Sequence, residues 1–351
     1  MQLDDLAARV REAAETGTAL RFRGGGSKDF YGGLLAGEVF DVSGYRGIVA
    51  YEPTELFITA RCGTPLAEID AALAEKGQML AFEPPHFGPA TVGGCVAAGL
   101  SGPRRQQAGA VRDFVLGVKL IDGAGQVLDF GGQVMKNVAG YDVSRFLAGS
   151  LGTLGLLAEV TLKVLPRPMA EASLIFETAQ PQAIEMLNRW GGRPLPISAS
   201  FWHDGRLTVR LSGAQAAVAA AREKMGGEWL LAADAFWQQI REQRHEAFAG
   251  EVLWRLALPS AAACLDLPTA LAVEWGGAQR WLATDADAET VREAARQAGG
   301  HAVLFRAPES LRCREGAFAP LAPALLALHQ RLKKVFDPKG IFNPGRLYAE
   351  L

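Results

Sequence analysis

Residues 19–28 read Ala-Leu-Arg-Phe-Arg-Gly-Gly-Gly-Ser-Lys, a short alternating segment that runs directly into three consecutive glycines. Leu20 and Phe22 alternate with Arg21 and Arg23, which is the period of a half-buried β-strand. The three glycines permit positive φ angles and can present successive backbone N–H groups to one point, as anion-binding nests do. The spacing fits neither the P-loop nor the Rossmann fingerprint. The stretch therefore predicts a strand followed by a phosphate-binding loop, with a plain flexible turn as the alternative.

The composition indicates an ordinary globular protein that is long enough for two domains. The chain has 351 residues, of which 49% are hydrophobic and 21% charged, with a formal net charge of −2. This balance gives no excess of positive charge that would indicate binding to nucleic acid or to anionic lipid. Met1–Asp5 is acidic and no stretch approaches the roughly 18 apolar residues of a membrane helix. We therefore expect a cytoplasmic protein without a signal peptide or a membrane span.

The cysteines and histidines predict no metal centre. The four cysteines are far apart and form no Cys-x-x-Cys pair, so neither an iron–sulfur nor a zinc-ribbon framework is indicated. They are interpreted as buried reduced thiols: Cys62, Cys95, Cys264 and Cys313. The five histidines form no His-x-His or His-x-x-x-His pattern.

Hydrophobic periodicity divides the first half of the chain into short elements. It predicts a helix at 3–16, strands at 39–42, 48–51, 56–62 and 79–82, and a helix opening at Thr64-Pro65. A strand, a helix and a strand with short links are typical of a βαβ unit, so a parallel sheet is expected here. A hairpin at 114–130 and a strand at 156–165 follow. Pro166-Arg167-Pro168 marks a domain boundary.

The second half predicts a compact α+β domain around an antiparallel sheet. Strands are expected at 173–177, 197–203, 206–211, 252–258, 271–274, 279–283 and 302–305, and helices at 182–190, 215–225 and 288–298. Tryptophans of this half are interpreted as core and interface residues: Trp190, Trp202, Trp229, Trp237, Trp254, Trp275 and Trp281. A last helix at 322–335 leads to a tail rich in turn residues.

Four segments together resemble the vanillyl-alcohol-oxidase/PCMH-type family of FAD flavoproteins. They are Arg-Gly-Gly-Gly-Ser at 23–27, the glycine-rich run at 89–102, Gly-Ser-Leu-Gly-Thr-Leu-Gly at 149–155 and Asn-Pro-Gly-Arg at 343–346. The resemblance implies an α+β fold with a two-subdomain PCMH-type FAD-binding domain followed by an α/β cap domain with an antiparallel sheet. The expected ranges are 1–168 for the FAD-binding domain, 169–310 for the cap, and 311–351 for a C-terminal segment that returns to the FAD-binding domain.

Within that family, five segments resemble more closely the FAD-binding E subunits of glycolate oxidases: 101–105, 111–117, 134–142, 237–239 and 342–351. This implies a complex with a second, catalytic FAD-binding subunit and an iron–sulfur subunit. The complex would oxidise a small 2-hydroxy acid at the cytoplasmic side, peripheral to the inner membrane through its partners. Two alternatives stay open: a self-sufficient FAD-dependent 2-hydroxy acid dehydrogenase, and a non-catalytic scaffold subunit.

The resemblance implies a non-covalent FAD site. Its expected contacts are Arg23, Gly24, Gly25, Gly26, Ser27, Lys28, Pro89, Thr91, Gly93, Gly94, Ser101, Gly102, Lys136, Asn137, Gly149, Gly152, Thr153, Gly155, Asn343 and Arg346. Many relatives tether the flavin to a histidine in the first loop, where this chain has Ser27 and Lys28. The FAD is therefore predicted to be dissociable.

The chemistry beyond FAD binding is only partly indicated. Lys136, Arg346 and Arg112 are candidates for the cation that stabilises a reduced flavin, with a surface role as the alternative for each. Arg104 and Arg105 are candidates for a substrate carboxylate. No catalytic base is identified, because the histidine-rich Gly-His-x-Gly-Asp-Gly-Asn-x-His segment of catalytic relatives is absent. The hydride is therefore expected to land on the partner flavin subunit.

Overall fold

The structure is a computed structural model that describes residues 1–132, 142–267 and 271–351. Lys136 and Asn137 lie outside the described residues. The first half contains α1 (Leu3–Thr16), β1 (Leu20–Arg23), β2 (Glu38–Asp41), β3 (Ile48–Glu52), β4 (Phe57–Arg61), α2 (Leu66–Glu75), β5 (Gln78–Met79), α3 (Val92–Ala98), α4 (Arg105–Ala108), α5 (Val111–Phe114), β6 (Val115–Ile121), β7 (Val127–Gly131), α6 (Val143–Phe146), β8 (Leu156–Lys163) and β9 (Leu165–Pro166).

The second half has longer strands and more regular helices. It contains β10 (Ala170–Glu177), α7 (Gln180–Gly191), β11 (Ile197–His203), β12 (Arg206–Gly213), α8 (Gln215–Met225), β13 (Glu228–Trp229), α9 (Ala233–Arg241), β14 (Leu253–Ala257), β15 (Leu271–Glu274), β16 (Gln279–Ala283), α10 (Ala288–Gln297), β17 (His301–Arg306), α11 (Glu309–Glu315) and α12 (Pro323–Phe336). The domain boundary at residue 168 stays a prediction, and it falls between β9 and β10.

The main sheet of the first half has the order β3-β4-β8-β6-β7, and all of its pairings are antiparallel. The expected parallel βαβ unit is therefore wrong. After α2, the chain forms only the two-residue strand β5, which pairs antiparallel with β9 outside this sheet. The position beside β4 is taken by β8, with Phe57 opposite Lys163. The short links therefore join a strand, a helix and a strand, but the two strands belong to different sheets.

The glycine loop follows a small parallel pair that also holds the C-terminal segment. β1 pairs with β2 in parallel, with Leu20 opposite Glu38. On the other edge of β1, the Leu20 amide donates to the Ile341 carbonyl at 2.7 Å, and the Asn343 amide donates to the Leu20 carbonyl at 2.8 Å. The C-terminal segment therefore returns to the first half of the chain, next to the glycine loop.

The cap sheet has the order β13-β10-β12-β11-β15-β16-β14-β17 and is antiparallel throughout, as expected. Helices α7, α8 and α10 cover one face with two apolar clusters. The other face packs against Tyr31, Leu100 and Leu151 of the first half. Five of the tryptophans are buried as expected (Trp190, Trp202, Trp237, Trp254 and Trp281), whereas Trp229 is 52% exposed.

Buried ion pairs join the cap to the first half. Arg104 lies 2.5 Å from Glu171 and 3.4 Å from Glu83, and Arg210 of β12 lies 2.9 Å from Glu83. Arg104, a candidate for binding a substrate carboxylate, is instead paired with Glu83 and Glu171 in this network. Arg105 stacks on the ring of Trp275, 4.3 Å from its centroid.

Candidate cofactor site

A cavity of about 890 Å³ opens beside the glycine loop. The predicted contacts that line it come from both ends of the chain: Arg23, Gly24, Gly25, Gly26, Ser27, Lys28, Thr91, Gly93, Gly94, Gly152, Gly155, Asn343 and Arg346. The fold thus brings together segments that are more than 300 residues apart in sequence.

The glycine loop forms a cradle of backbone donors. Among the described residues, the amides of Gly24, Gly25 and Gly26 find no hydrogen-bond acceptor. A Cβ atom on Gly24 would lie 2.3 Å from the Thr91 hydroxyl oxygen, and one on Gly25 only 1.4 Å from the Pro89 carbonyl oxygen. Side chains are therefore excluded, and the free amides lie where an anion can accept from them.

Two cations of the cavity lack a counter-charge. The Lys28 ammonium donates to the Ser27 hydroxyl at 3.3 Å and to the His86 carbonyl at 3.2 Å, and no carboxylate of the described chain lies within 4.0 Å of it. Burial lowers the pKa of Lys28. The buried Nε of Arg21 also has no hydrogen-bond partner in the described part of the chain. Because unpaired buried charge is costly, this set fits a bound anion.

Asn343 and Arg346 fix the walls of the cavity. Asn343 accepts a hydrogen bond from the Phe22 amide at 2.9 Å and donates one to the Leu151 carbonyl at 2.6 Å. The Arg346 guanidinium donates to the Lys28 carbonyl at 3.0 Å and to further carbonyls of the same loop. Burial lowers the pKa of Arg346 to about 10, which leaves it charged at neutral pH.

The other predicted contacts that the structure describes lie just outside this cavity: Pro89, Ser101, Gly102, Gly149 and Thr153. Pro89 backs Gly25 with its carbonyl. Ser101 and Gly102 line a second, smaller cavity below the cap. The Thr153 hydroxyl donates to the Ser150 carbonyl at 2.8 Å. Arg112 does not reach the site, because its side chain is 69% exposed and lies 3.8 Å from Asp113.

The sequence interpretation missed Arg21 and Cys62, which also line the cavity. The alternating pattern assigned Arg21 to a solvent-facing position, whereas the structure places it in the cavity lining with Asn343 and Arg346. Burial raises the pKa of the Cys62 thiol to about 12, so the thiol stays protonated. The expectation of buried cysteines is right for Cys62 and Cys95 and wrong for Cys264 and Cys313, which are exposed.

Among the residues that the structure describes, one cluster of potential metal ligands occurs away from the cavity. Ligand atoms of His203, His245 and Glu246 lie within 4.8 Å of one another. The Nδ1 atom of His245 accepts a hydrogen bond from the Ala247 amide at 3.1 Å. A neutral His245 therefore carries its proton on Nε2, so neither ring nitrogen is free to bind a metal.

Family models match both ends of the chain. Residues 2–131 match a model described as an FAD binding domain, and residues 320–347 match one described as the C-terminal domain of FAD linked oxidases. These are the two regions that meet at the cavity. The cofactor of the domain is FAD, and the free amides and cations described above fit its diphosphate.

Two relatives of the chain are subunits of glycolate oxidases. The chain is 51% identical to the glycolate oxidase subunit GlcE of Escherichia coli (strain K12) over 348 residues, which cover 99% of this chain and 97% of the relative. It is 30% identical to the glycolate oxidase subunit GlcD of Bacillus subtilis (strain 168) over 164 residues, 46% of this chain and 35% of the relative.

Solved structures support the fold. A 4-ethylphenol oxidase from Gulosibacter chungangensis superposes with a TM-score of 0.71 at 14% identity, covering 99% of this chain and 88% of that one. An alkyldihydroxyacetonephosphate synthase gives a TM-score of 0.65 at 14% identity, with 96% and 74% coverage. The α+β fold with a PCMH-type FAD-binding domain is thereby confirmed.

Proposed function

Because the chain belongs to the family of the glycolate oxidase subunit GlcE, a family of FAD-linked oxidoreductases, we propose that it is the FAD-binding subunit of a glycolate-oxidase-type complex. It takes part in moving electrons from the oxidation of glycolate to glyoxylate and is inactive alone. The observation that carries this is the cavity whose free amides and unpaired cations match a diphosphate. Bound FAD would supply the two-electron chemistry.

The chain's own residues would bind and orient the cofactor. Gly24, Gly25 and Gly26 offer their amides to the diphosphate, and Lys28 adds a positive charge at the same loop. Arg346 holds this loop in place through its carbonyl contacts. Its positive charge would also stabilise the negative charge that a bound flavin gains when it is reduced. Lys136 and Asn137 stay candidate contacts.

The proposed partners are a second FAD-binding catalytic subunit and an iron–sulfur subunit. The similarity to a GlcD subunit and the full-length similarity to a GlcE subunit support the first of these. We place the complex in the cytoplasm, peripheral to the inner membrane through its partners. None of the described helices has the length and apolarity that crossing a bilayer requires.

The FAD is proposed to be non-covalent. Among the described residues no histidine lines the cavity, and the Cys62 thiol stays protonated because burial raises its pKa to about 12. Precipitation of the purified protein with trichloroacetic acid should release all yellow colour into the supernatant. A yellow pellet after washing would contradict this.

Co-expression tests the complex. The tagged chain should co-purify with the second flavin subunit and the iron–sulfur subunit, and this assembly should reduce a dye acceptor when glycolate is added. The chain purified alone should show flavin absorption bands that glycolate does not bleach. Bleaching by glycolate would instead establish a self-sufficient dehydrogenase. A colourless chain that still co-purifies would establish a scaffold.

A further inference from the structure

Helix α12 presents most of its apolar side chains to solvent. Its only buried residue is Lys333, whereas Leu325 and Leu328 are each 44% exposed and Val335 is 74% exposed. A surface helix of a folded domain normally turns its apolar stripe inward and its charged residues outward. The opposite arrangement in α12 indicates that its outward face binds something outside the chain.

The exposed apolar residues of α12 follow the spacing of a contact between two helices. Leu325, Leu328, Leu332 and Val335 lie three, four and three residues apart, so they form one narrow stripe along the helix, here called the α12 stripe. A stripe of this width is typical of the seam between paired helices, which is narrower than the apolar face that a helix buries against a core. The α12 stripe therefore fits a single partner helix.

The α12 stripe continues into an apolar groove beside the helix. Leu332 lines this groove together with Phe146 of α6 and with Leu347 and Leu351 of the C-terminal segment. The Phe146 side chain is 46% exposed, although it is large and apolar. The stripe and the groove thus form one apolar surface, which suits a protein contact better than scattered apolar residues would.

One backbone segment borders both the groove and the FAD cavity. Thr153 and Leu154 line the groove, and Gly152 and Gly155 of the same segment line the cavity. A partner in the groove would therefore lie close to bound FAD. Of the two proposed partners, the iron–sulfur subunit carries clusters that exchange electrons with a flavin, and electron transfer requires a close approach.

The charge of this surface indicates the chemistry of the partner. The stretch 316–349 has one carboxylate, Asp337, which is 1% exposed, and its exposed charged residues are Arg331, Lys334 and Lys339. Arg331 lies beside the α12 stripe, at the position where charged residues flank the seam of two paired helices. A second copy of the chain would bring like charges together, which is unfavourable. The surface therefore fits a helix with acidic residues beside its apolar stripe.

We propose that the α12 stripe and the adjoining groove are the docking surface for an acidic amphipathic helix of the iron–sulfur subunit. This inference rests on the proposed function, which supplies the partner, and adds where and how that partner binds. Apolar side chains of the partner helix pack between Leu325, Leu328 and Leu332, and its carboxylates pair with Arg331 and Lys334.

Co-expression of the tagged full chain with both proposed partners tests the docking surface. Leu328→Glu should lower the amount of co-purified iron–sulfur subunit at least about tenfold, because it places an unpaired carboxylate in an apolar contact. Arg331→Glu should also weaken the association, and Arg331→Lys should retain it. Flavin content and melting temperature should stay unchanged, since both side chains are at the surface. Amide hydrogen exchange of α12 should be slower in the unmodified complex than in the chain alone.

Leu231→Glu is the matched control, because Leu231 is a cap residue that is 78% exposed and lies outside the α12 stripe and the groove. It should co-purify with the iron–sulfur subunit as the unmodified chain does. Full retention of that subunit by Leu328→Glu would overturn the proposal, and so would loss of the second flavin subunit alone.

Two further measurements test other occupants of the α12 stripe. A dimer of the isolated chain that Leu328→Glu converts to a monomer would assign the stripe to a second copy and overturn the proposal. Binding of the chain to phosphatidylglycerol vesicles that Leu328→Glu abolishes, with co-purification unchanged, would assign the stripe to a membrane and also overturn it. If the unmodified, flavin-loaded chain binds neither subunit, the proposed function itself fails, and this inference fails with it.

Discussion

Gly25 lies where the glycine loop passes very close to the glycine-rich run at 89–102. A Cβ atom there would lie 1.4 Å from the Pro89 carbonyl oxygen, which is backbone and cannot rotate away. Gly25→Ala should therefore displace the loop and abolish FAD retention. The measurement is the ratio of flavin to protein absorbance after gel filtration. We expect at least about a tenfold loss, because the displaced amides no longer converge on the diphosphate.

Gly44→Ala is the control for Gly25→Ala. A Cβ atom on the exposed Gly44 would meet only the Met1 side chain, at 3.8 Å. This variant should keep its full flavin content. If Gly25→Ala also retains the flavin, the loop is not the diphosphate cradle.

Single residues differ in how far their roles could be predicted from the sequence. The glycines at 24–26 were predictable because only glycine tolerates so close an approach of two backbones, and the run of three is visible in the chain. Arg21 was not predictable as a cavity residue, because the alternating pattern of β1 placed it on the solvent side. Its place in the cavity depends on tertiary packing, which brings Asn343 and Arg346 into the same lining.

At the scale of elements, a buried lysine of α12 contacts the FAD-binding domain. Lys333 is 7% exposed, and its ammonium donates to the carbonyls of Thr153 and Phe342, both at 2.7 Å. It also lies 2.8 Å from the carboxylate of Asp337. That carboxylate accepts from the amides of Ile341 and Phe342. The lysine thus connects α12, the glycine segment at 149–155 and the C-terminal segment.

Lys333→Met should lower the free energy of unfolding by about 3 kcal/mol, because it leaves the buried Asp337 carboxylate without its cation. Urea unfolding followed by flavin release measures this. The neighbouring Lys334 is exposed, so Lys334→Met should change the free energy by less than about 0.5 kcal/mol. Equal effects of the two variants would mean that the contacts of Lys333 do not hold the C-terminal segment.

Strands were predicted correctly where the hydrophobic periodicity and the turn residues indicated the same limits. The cap strands β11, β15 and β16 have the predicted limits, and the hairpin of β6 and β7 was expected. The parallel sheet was wrong because strand partners are chosen by long-range packing. β4 lies beside β8, about 100 residues away, and not beside the next strand along the chain.

At the scale of the whole molecule, Glu83 takes part in the buried ion pairs between the FAD-binding domain and the cap. It lies 2.9 Å from Arg210 of the cap and 3.4 Å from Arg104, and both arginines are buried. Burial raises the pKa of Glu83, but the two guanidinium groups outweigh this and hold the pKa below its usual value. An ionised Glu83 therefore stabilises the docked cap.

Glu83→Gln should loosen the cap, because it leaves the buried Arg210 guanidinium without its carboxylate, while Arg104 keeps only Glu171. We expect the free energy of unfolding to fall by about 3 kcal/mol at pH 7. Amide hydrogen exchange should quicken at the facing segments, including the amides of His86 and Phe87 that donate to Glu242 of the cap. The exposed Glu185→Gln should leave both measurements unchanged.

The pH dependence separates an ionic role of Glu83 from a merely structural one. Because its folded pKa lies below the unfolded value, the stabilisation is present above the usual glutamate range and is lost as the pH falls through the folded pKa. The difference between the unmodified chain and Glu83→Gln should therefore be largest at neutral pH and shrink on acidification below about pH 4. A difference that stays constant from pH 7 to pH 3.5 would show that shape, and not charge, holds the two domains together.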